Sequence, residues 1–150
     1  VFLVKDEDII LITEFGNAIR FNSMEVGATS RATSGVKVLG LKPEDAVSVA
    51  LPIHDKTDEL AVFAGKGYGK KVQLTELPAQ KRGGKGLAVI KLEEGDWVAD
   101  AALVNNDDTI LIVGNLSSVC ITGKDIPSLG RASIGNQVIR DSKVLSVSKV

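Results

Sequence analysis

Apolar residues in this chain come in runs of about four to six, each bounded by clusters of Gly, Asn, Asp or Pro. The runs at 9–13, 18–21, 36–41 and 46–51 are rich in β-branched residues and too short for helices, so each predicts a strand. The same rhythm returns at 60–63, 70–74, 87–92 and 97–104. No segment carries an apolar stripe of 3.6-residue period over three turns, so the chain reads as all-β with antiparallel strands.

The pattern repeats. Arg31, Arg82 and Arg131 stand 51 and 49 residues apart, and those two offsets superpose the rest. Gly35, Gly86 and Gly135 fall four residues after each arginine, and Glu25, Glu76 and Asp125 six before it. The apolar runs 9–12, 60–63 and 109–112 align, as do Val38, Val89 and Val138. Three units follow, about 4–53, 55–104 and 105–150, within one repeat domain. Four short strands in each describe blades of about fifty residues. Few aromatics, about 4% of the chain, and no Trp-Asp pair closing each unit argue against a WD-type propeller.

Gly16 and Gly67 occupy matching hairpin positions, where positive φ is open to glycine. The third unit has Leu116 there, so Asn115 is expected to take the strained conformation in a different turn. Trp97 lies on an alternating strand and reads as core packing. The recurring glycines read as turn formers, and the recurring acids as groups that orient the loops after them.

Charge changes the picture locally rather than globally. The net charge is −1, with no general attraction to nucleic acid, yet seven bases and one acid fall between residues 64 and 91. Six acids and no base follow in residues 92–108. Such segregation fits one cationic face. Its densest point is Gln80, Lys81, Arg82, Gly83, Gly84, Lys85 and Gly86, where glycines permit close backbone approach and the cations suit a polyanion. A competing reading is a protein-interaction propeller whose basic loops meet an acidic protein surface.

Catalytic chemistry is poorly served. His54 is the only histidine and Cys120 the only cysteine, which excludes the usual zinc ligand sets, any internal disulfide, and a Ser-His-Asp triad built on another histidine. His54, beside Asp55, reads as a loop residue. Gly84-Lys85 is followed by Gly86 rather than Ser or Thr, so no P-loop is present. The single cysteine points to a reducing compartment, and no apolar run is long enough to span a membrane. The opening at Val1, apolar and without methionine, leads us to expect a segment of a longer protein.

The seven residues 80–86, with Gly67-Tyr68-Gly69-Lys70-Lys71 ahead of them and Gly130-Arg131 with Gly135 in the last unit, resemble the C-terminal domain of DNA gyrase A and its topoisomerase IV relative. The resemblance covers essentially the whole chain. It implies a β-pinwheel, a propeller-like disc with strands exchanged between neighbouring blades, of which this chain would be the last three of six. It implies a non-catalytic module that wraps double-stranded DNA by sequence-independent phosphate contacts. The expected contacts are Arg20, Arg31, Lys70, Lys71, Lys81, Arg82, Lys85 and Arg131. The resemblance places ATP, Mg²⁺, the catalytic tyrosine, the breakage-reunion domain and the separate ATPase polypeptide in the parent enzyme; Tyr68 inherits no catalytic role. It also implies a cytoplasmic, nucleoid-associated location. The box lies in the second unit, so it does not by itself separate gyrase from topoisomerase IV. A half disc would expose strand edges, with 1–4 and 143–150 the candidates for pairing with each other, with further blades or with a second copy.

Overall fold

The computed structural model describes residues 1–150. Its strands are β1 (Asp8–Thr13), β2 (Asn17–Asn22), β3 (Val47–Pro52), β4 (Glu59–Ala64), β5 (Tyr68–Gln73), β6 (Leu87–Ala88), β7 (Val98–Val104), β8 (Thr109–Gly114), β9 (Ser118–Thr122), β10 (Asn136–Gln137) and β11 (Val144–Lys149). They form three antiparallel sheets, ordered β3-β1-β2-β6, β10-β5-β4-β7 and β11-β8-β9. The all-β expectation holds, and the strand order shows how the blades are joined. β6 belongs to the second sequence repeat but pairs with β2 of the first, through Asn17↔Ala88 and Ala18↔Leu87. β10 of the third repeat pairs with β5 of the second, through Asn136↔Gly69 and Gln137↔Tyr68. Each of these sheets therefore takes its outer strand from the next repeat.

β4 shows why the sheets stack. Leu60, Val62 and Ala64 enter one apolar cluster with Ile10, Ile12, Val89 and Val98, while Ala61 and Phe63 enter another with Ile110, Ile112 and Ile139. That is the two-residue alternation of a strand with both faces covered. The middle sheet is thus packed between its neighbours, and full burial of side chains such as Leu60 and Phe63 contributes roughly 1.5–3 kcal/mol each. Trp97, half-buried, lies against Gly65, where a Cβ would fall 2.4 Å from the indole, and Lys143 Nζ sits 5.9 Å from its centroid.

Several expectations are corrected. The run 36–41 forms no strand: its equivalent, 87–92, supplies β6 by pairing with the preceding blade, and no preceding blade stands beside 36–41. The third sheet has three strands rather than four, because β9 pairs only with β8. β9 and β11 are therefore the two edge strands of this sheet, and β9 lacks the added strand that β2 and β5 have. Residues 1–4 lie exposed outside any strand, and β11 is paired along β8, so the two termini do not pair with each other. Gly16 and Gly67 do adopt positive φ, 84° and 100°. Asn115 does not. Instead its Oδ1 accepts from Lys143 N–H at 2.7 Å and from the Ser142 hydroxyl, whose Oγ accepts from Leu116 N–H at 3.1 Å; side chains hold this turn in place of glycine.

Candidate nucleic-acid interface

Two of the basic loops are clasped by the blade before them. Gln80 N–H donates to Arg20 O at 2.7 Å as the chain arrives on β2, and Val89 N–H donates to Gly16 O at 2.9 Å as it leaves. The third repeat does the same on β5, with Leu129 N–H to Lys71 O at 2.9 Å and Val138 N–H to Gly67 O at 2.8 Å. Residues 80–86 and 129–135 thus bulge outward between two anchors. Gly86 and Gly135 make this possible: both have positive φ, 72° and 92°, and a Cβ would lie 2.5 Å from Ala18 O or Gly69 O. They serve the turn and, beyond that, the contact between blades. Gly35 has a similar φ, 79°, with nothing within 4 Å.

The recurring acid latches the next blade. After β2 and β5, one turn of 3₁₀ helix (Ser23–Glu25, Leu74–Glu76) presents a carboxylate towards the following loop. Glu25 Oε2 accepts from Arg82 N–H at 3.0 Å, and Glu76 Oε2 from Arg131 N–H at 3.3 Å. The orienting role read from the sequence is therefore correct, but it acts across the joint. Asp125 has no following loop; it closes a capping box with Thr122, whose hydroxyl and N–H hold its carboxyl below the usual carboxylate value.

Three expected DNA-contacting cations are turned inward instead. Arg20 grips Asp8 through Nε and Nη2, both at 2.8 Å, and reaches Leu74 O and Leu77 O of the next blade. Lys71, at the equivalent position and buried, pairs with Glu59 at 3.0 Å and donates to Asn106 Oδ1 at 2.6 Å. Lys70 is fully buried, and its Nζ donates to Gly130 O, Arg131 O and Ser133 Oγ at 2.7, 2.8 and 3.1 Å. Burial lowers its pKa to about 8, with nearby Glu76 raising it and Arg131 lowering it further. The physical reason is alternation: adjacent lysines on β5 point to opposite faces, and both faces of that sheet are covered. None of the three offers its charge to a phosphate at the surface.

Lys81, Arg82, Lys85 and Arg31 are exposed, and Arg131 is half-buried. Lys81 and Lys85 enter no ion pair. Arg82 folds back, with Nε donating to Glu25 O at 3.0 Å and Nη1 to Lys37 O at 3.2 Å; Arg131 donates from Nη1 to Ala88 O at 3.1 Å. Beside the box lies a cleft of about 420 Å³ lined by Lys37, Gly40, Leu41, Lys42, Gly83 and Lys85, three cations and no acid. Sequence pattern does not single out Lys37 and Lys42. Lys37 sits inside an apparent strand, and its alignment with Ala88 is the one clue to its place at the joint. The matching cleft at the third loop, about 280 Å³, holds Arg131 beside Glu76 and no lysine.

Comparisons with known proteins fit this geometry. The family model described as DNA gyrase C-terminal domain, beta-propeller, matches residues 7–54 and 58–105, which is more than half of the chain. The chain belongs to the DNA gyrase C-terminal domain family. The DNA gyrase A polypeptide of Borrelia hermsii is 35% identical over 97% of this chain, which covers 18% of that relative. A solved DNA gyrase A C-terminal domain superposes with TM-score 0.90 at 31% identity, covering 98% of this chain and 52% of the other. A DNA topoisomerase IV C-terminal domain gives TM-score 0.89 at 26% identity, covering 96% of this chain and 46% of the other. The chain thus spans under a fifth of the full-length relative and about half of each solved domain. No helix is long and apolar enough to cross a membrane, and no cluster of three metal-ligating side chains occurs.

Proposed function

We propose that this chain is a DNA-binding and DNA-bending module of a gyrase A-type protein, holding double-stranded DNA by its phosphates. The observation that carries this is the acid-free cleft at the first joint, where Lys37, Lys42 and Lys85 converge beside the exposed Lys81. Each cation placed on a phosphate releases condensed counterions, so affinity falls steeply with salt. Successive loops present Arg31, then Lys81 and Arg82, then Arg131, and DNA touching more than one of them follows the arc of the blades. Bending a site through tens of degrees costs about 1–6 kcal/mol, offset by the added contacts. No recognition helix or aromatic platform is offered to bases, so binding is indifferent to sequence.

In the parent, supercoiling chemistry with ATP, Mg²⁺ and a catalytic tyrosine belongs to other domains and to the ATPase polypeptide, and the setting is the cytoplasm beside the nucleoid. This chain itself acts without catalysis and without a cofactor. Its β9 edge with Asp125, and its exposed segment 30–37, are complementary halves of the joint seen twice inside the molecule. Further blades of a longer protein, or a second copy, fill them.

The test is a bending assay on random-sequence DNA longer than a persistence length of about 150 bp, with mass in solution measured alongside. Compaction of the DNA, at an affinity that falls with salt, is expected. Absence of DNA binding at about 50 mM salt, or binding without bending, contradicts the reading.

A further inference from the structure

We propose that Lys70 is the positioning residue of the third loop, holding Arg131 where it meets DNA through a buried ammonium that the first joint does not have. The inference rests on the DNA-binding reading above.

The two joints differ in the residue that supports the loop from below. Beneath residues 80–86 the inward residue of β2 is Ile19, close to Gly84: a Cβ there would lie 3.5 Å from Ile19 Cδ1. Beneath residues 129–135 the equivalent residue of β5 is Lys70, fully buried. An ammonium has three N–H donors, and all three are used, on Gly130 O, Arg131 O and Ser133 Oγ. Ser133 Oγ in turn donates to Gly130 O at 2.8 Å, so the donors and acceptors of the turn close on one another. Arg131 lies in the middle of this turn, fixed by its own carbonyl from below and by Glu76 on its N–H. The third loop lacks the flexible glycine pair and has Ala132 and Ser133 where the box has Gly83 and Gly84. Arg131 keeps on Ala88 O the grip that Arg82 has on Lys37 O, and the buried charge stands in for the grip it lacks, that of Arg82 on Glu25 O.

This arrangement responds to alkali. The charged groups facing Lys70 are Glu76, which favours the ammonium, and Arg131, which disfavours it. With burial the strongest influence, Lys70 loses its proton around pH 8. A neutral amine donates only two hydrogen bonds, and its lone pair faces the third acceptor. The sign for the whole fold is opposite. The folded pKa lies below the ordinary 10.5, so between about pH 8 and 10.5 the unfolded chain holds a proton that the folded chain has shed, and this group's contribution to stability rises with pH.

The experiment combines a cycle and a titration on the whole chain. DNA affinity is measured for wild type, Lys70→Met, Arg131→Ala and the double variant. We expect each single change to weaken binding by a similar factor, about threefold, and to lower the salt slope by about 1, with no further loss in the double. Amide shifts of Arg131 and Ser133 in free wild type, needing no variant, titrate near pH 8, while those of Arg82 and Gly84 do not. Losses that multiply in the double variant overturn the inference, as does Lys70→Met binding like wild type while Arg131→Ala does not. Flat amide shifts from about pH 7 to 9.5, across the window that the lowered pKa defines, also overturn it. If wild type binds no DNA while the amides titrate, the functional reading fails, and the pinned loop stands without a role in DNA contact.

Discussion

The two joints inside this molecule are built on one plan and loaded differently. Both anchor a basic loop on the preceding blade by matching backbone bonds, and both press a glycine against its carbonyl and latch the loop's arginine N–H with a glutamate. At the first joint the support is apolar, over Ile19, and the lysines face solvent around an acid-free cleft. At the second the lysine is underneath and the cleft holds an acid. Counting cations along the sequence, strand residues included, is therefore a poor guide to the charge a joint presents. The plan belongs to the fold, and the load differs from joint to joint.

Breaking the plan gives the largest effects. Gly86→Ala and Gly135→Ala each add a Cβ at 2.5 Å from a backbone oxygen in a positive-φ position. Each is expected to cost about 3 kcal/mol or more in denaturant unfolding, against about 1 kcal/mol for Gly35→Ala, where only the φ is strained. Equal costs at all three would show that the approach between blades is not what the glycine serves. Arg20→Ala, which leaves Asp8 with only Asn22 Nδ2 and takes the guanidinium from Leu74 O and Leu77 O, is expected to cost about 2–3 kcal/mol. The equivalent Cys120→Ala, exposed on β9, stays within about 0.5 kcal/mol. The latches come next: Glu25→Ala and Glu76→Ala each cost about 1–2 kcal/mol, and Asp125→Ala, which loses only a local cap, costs less than either. The smallest change sharpens the difference in load. Ile134→Lys installs the equivalent of Lys85 and is expected to steepen the salt slope of DNA binding by about 0.9, with little change in stability.

Much of this is legible in the sequence. The offsets of 51 and 49 residues locate the equivalent positions, and short continuous apolar runs bounded by turn residues locate the long strands, because a strand covered on both faces is apolar throughout. The exchange itself is not legible from pattern, since β6 and β10 are two residues long and a two-residue strand carries no period. It enters through the family resemblance alone. Residues 36–41 mislead for the same reason: their apolar pattern is real, but a strand needs a partner, and theirs is not in this chain. Arg20, Lys70 and Lys71 mislead because charge usually marks a solvated face. The signal against it is their place between Ile19, Phe21, Gly69 and Val72, all buried, on strands covered from both sides. Lys37 and Lys42 escape notice because their cleft is made by residues about forty apart meeting across the joint.

The central claim is that surface lysines of the box, not the buried lysines before it, hold DNA phosphates. It is tested most directly by the slope of log affinity against log salt for wild type and for Lys81→Ala/Lys85→Ala. Two lost phosphate contacts predict a slope shallower by about 1.8, with unfolding stability unchanged within about 0.5 kcal/mol. An unchanged slope would contradict the account.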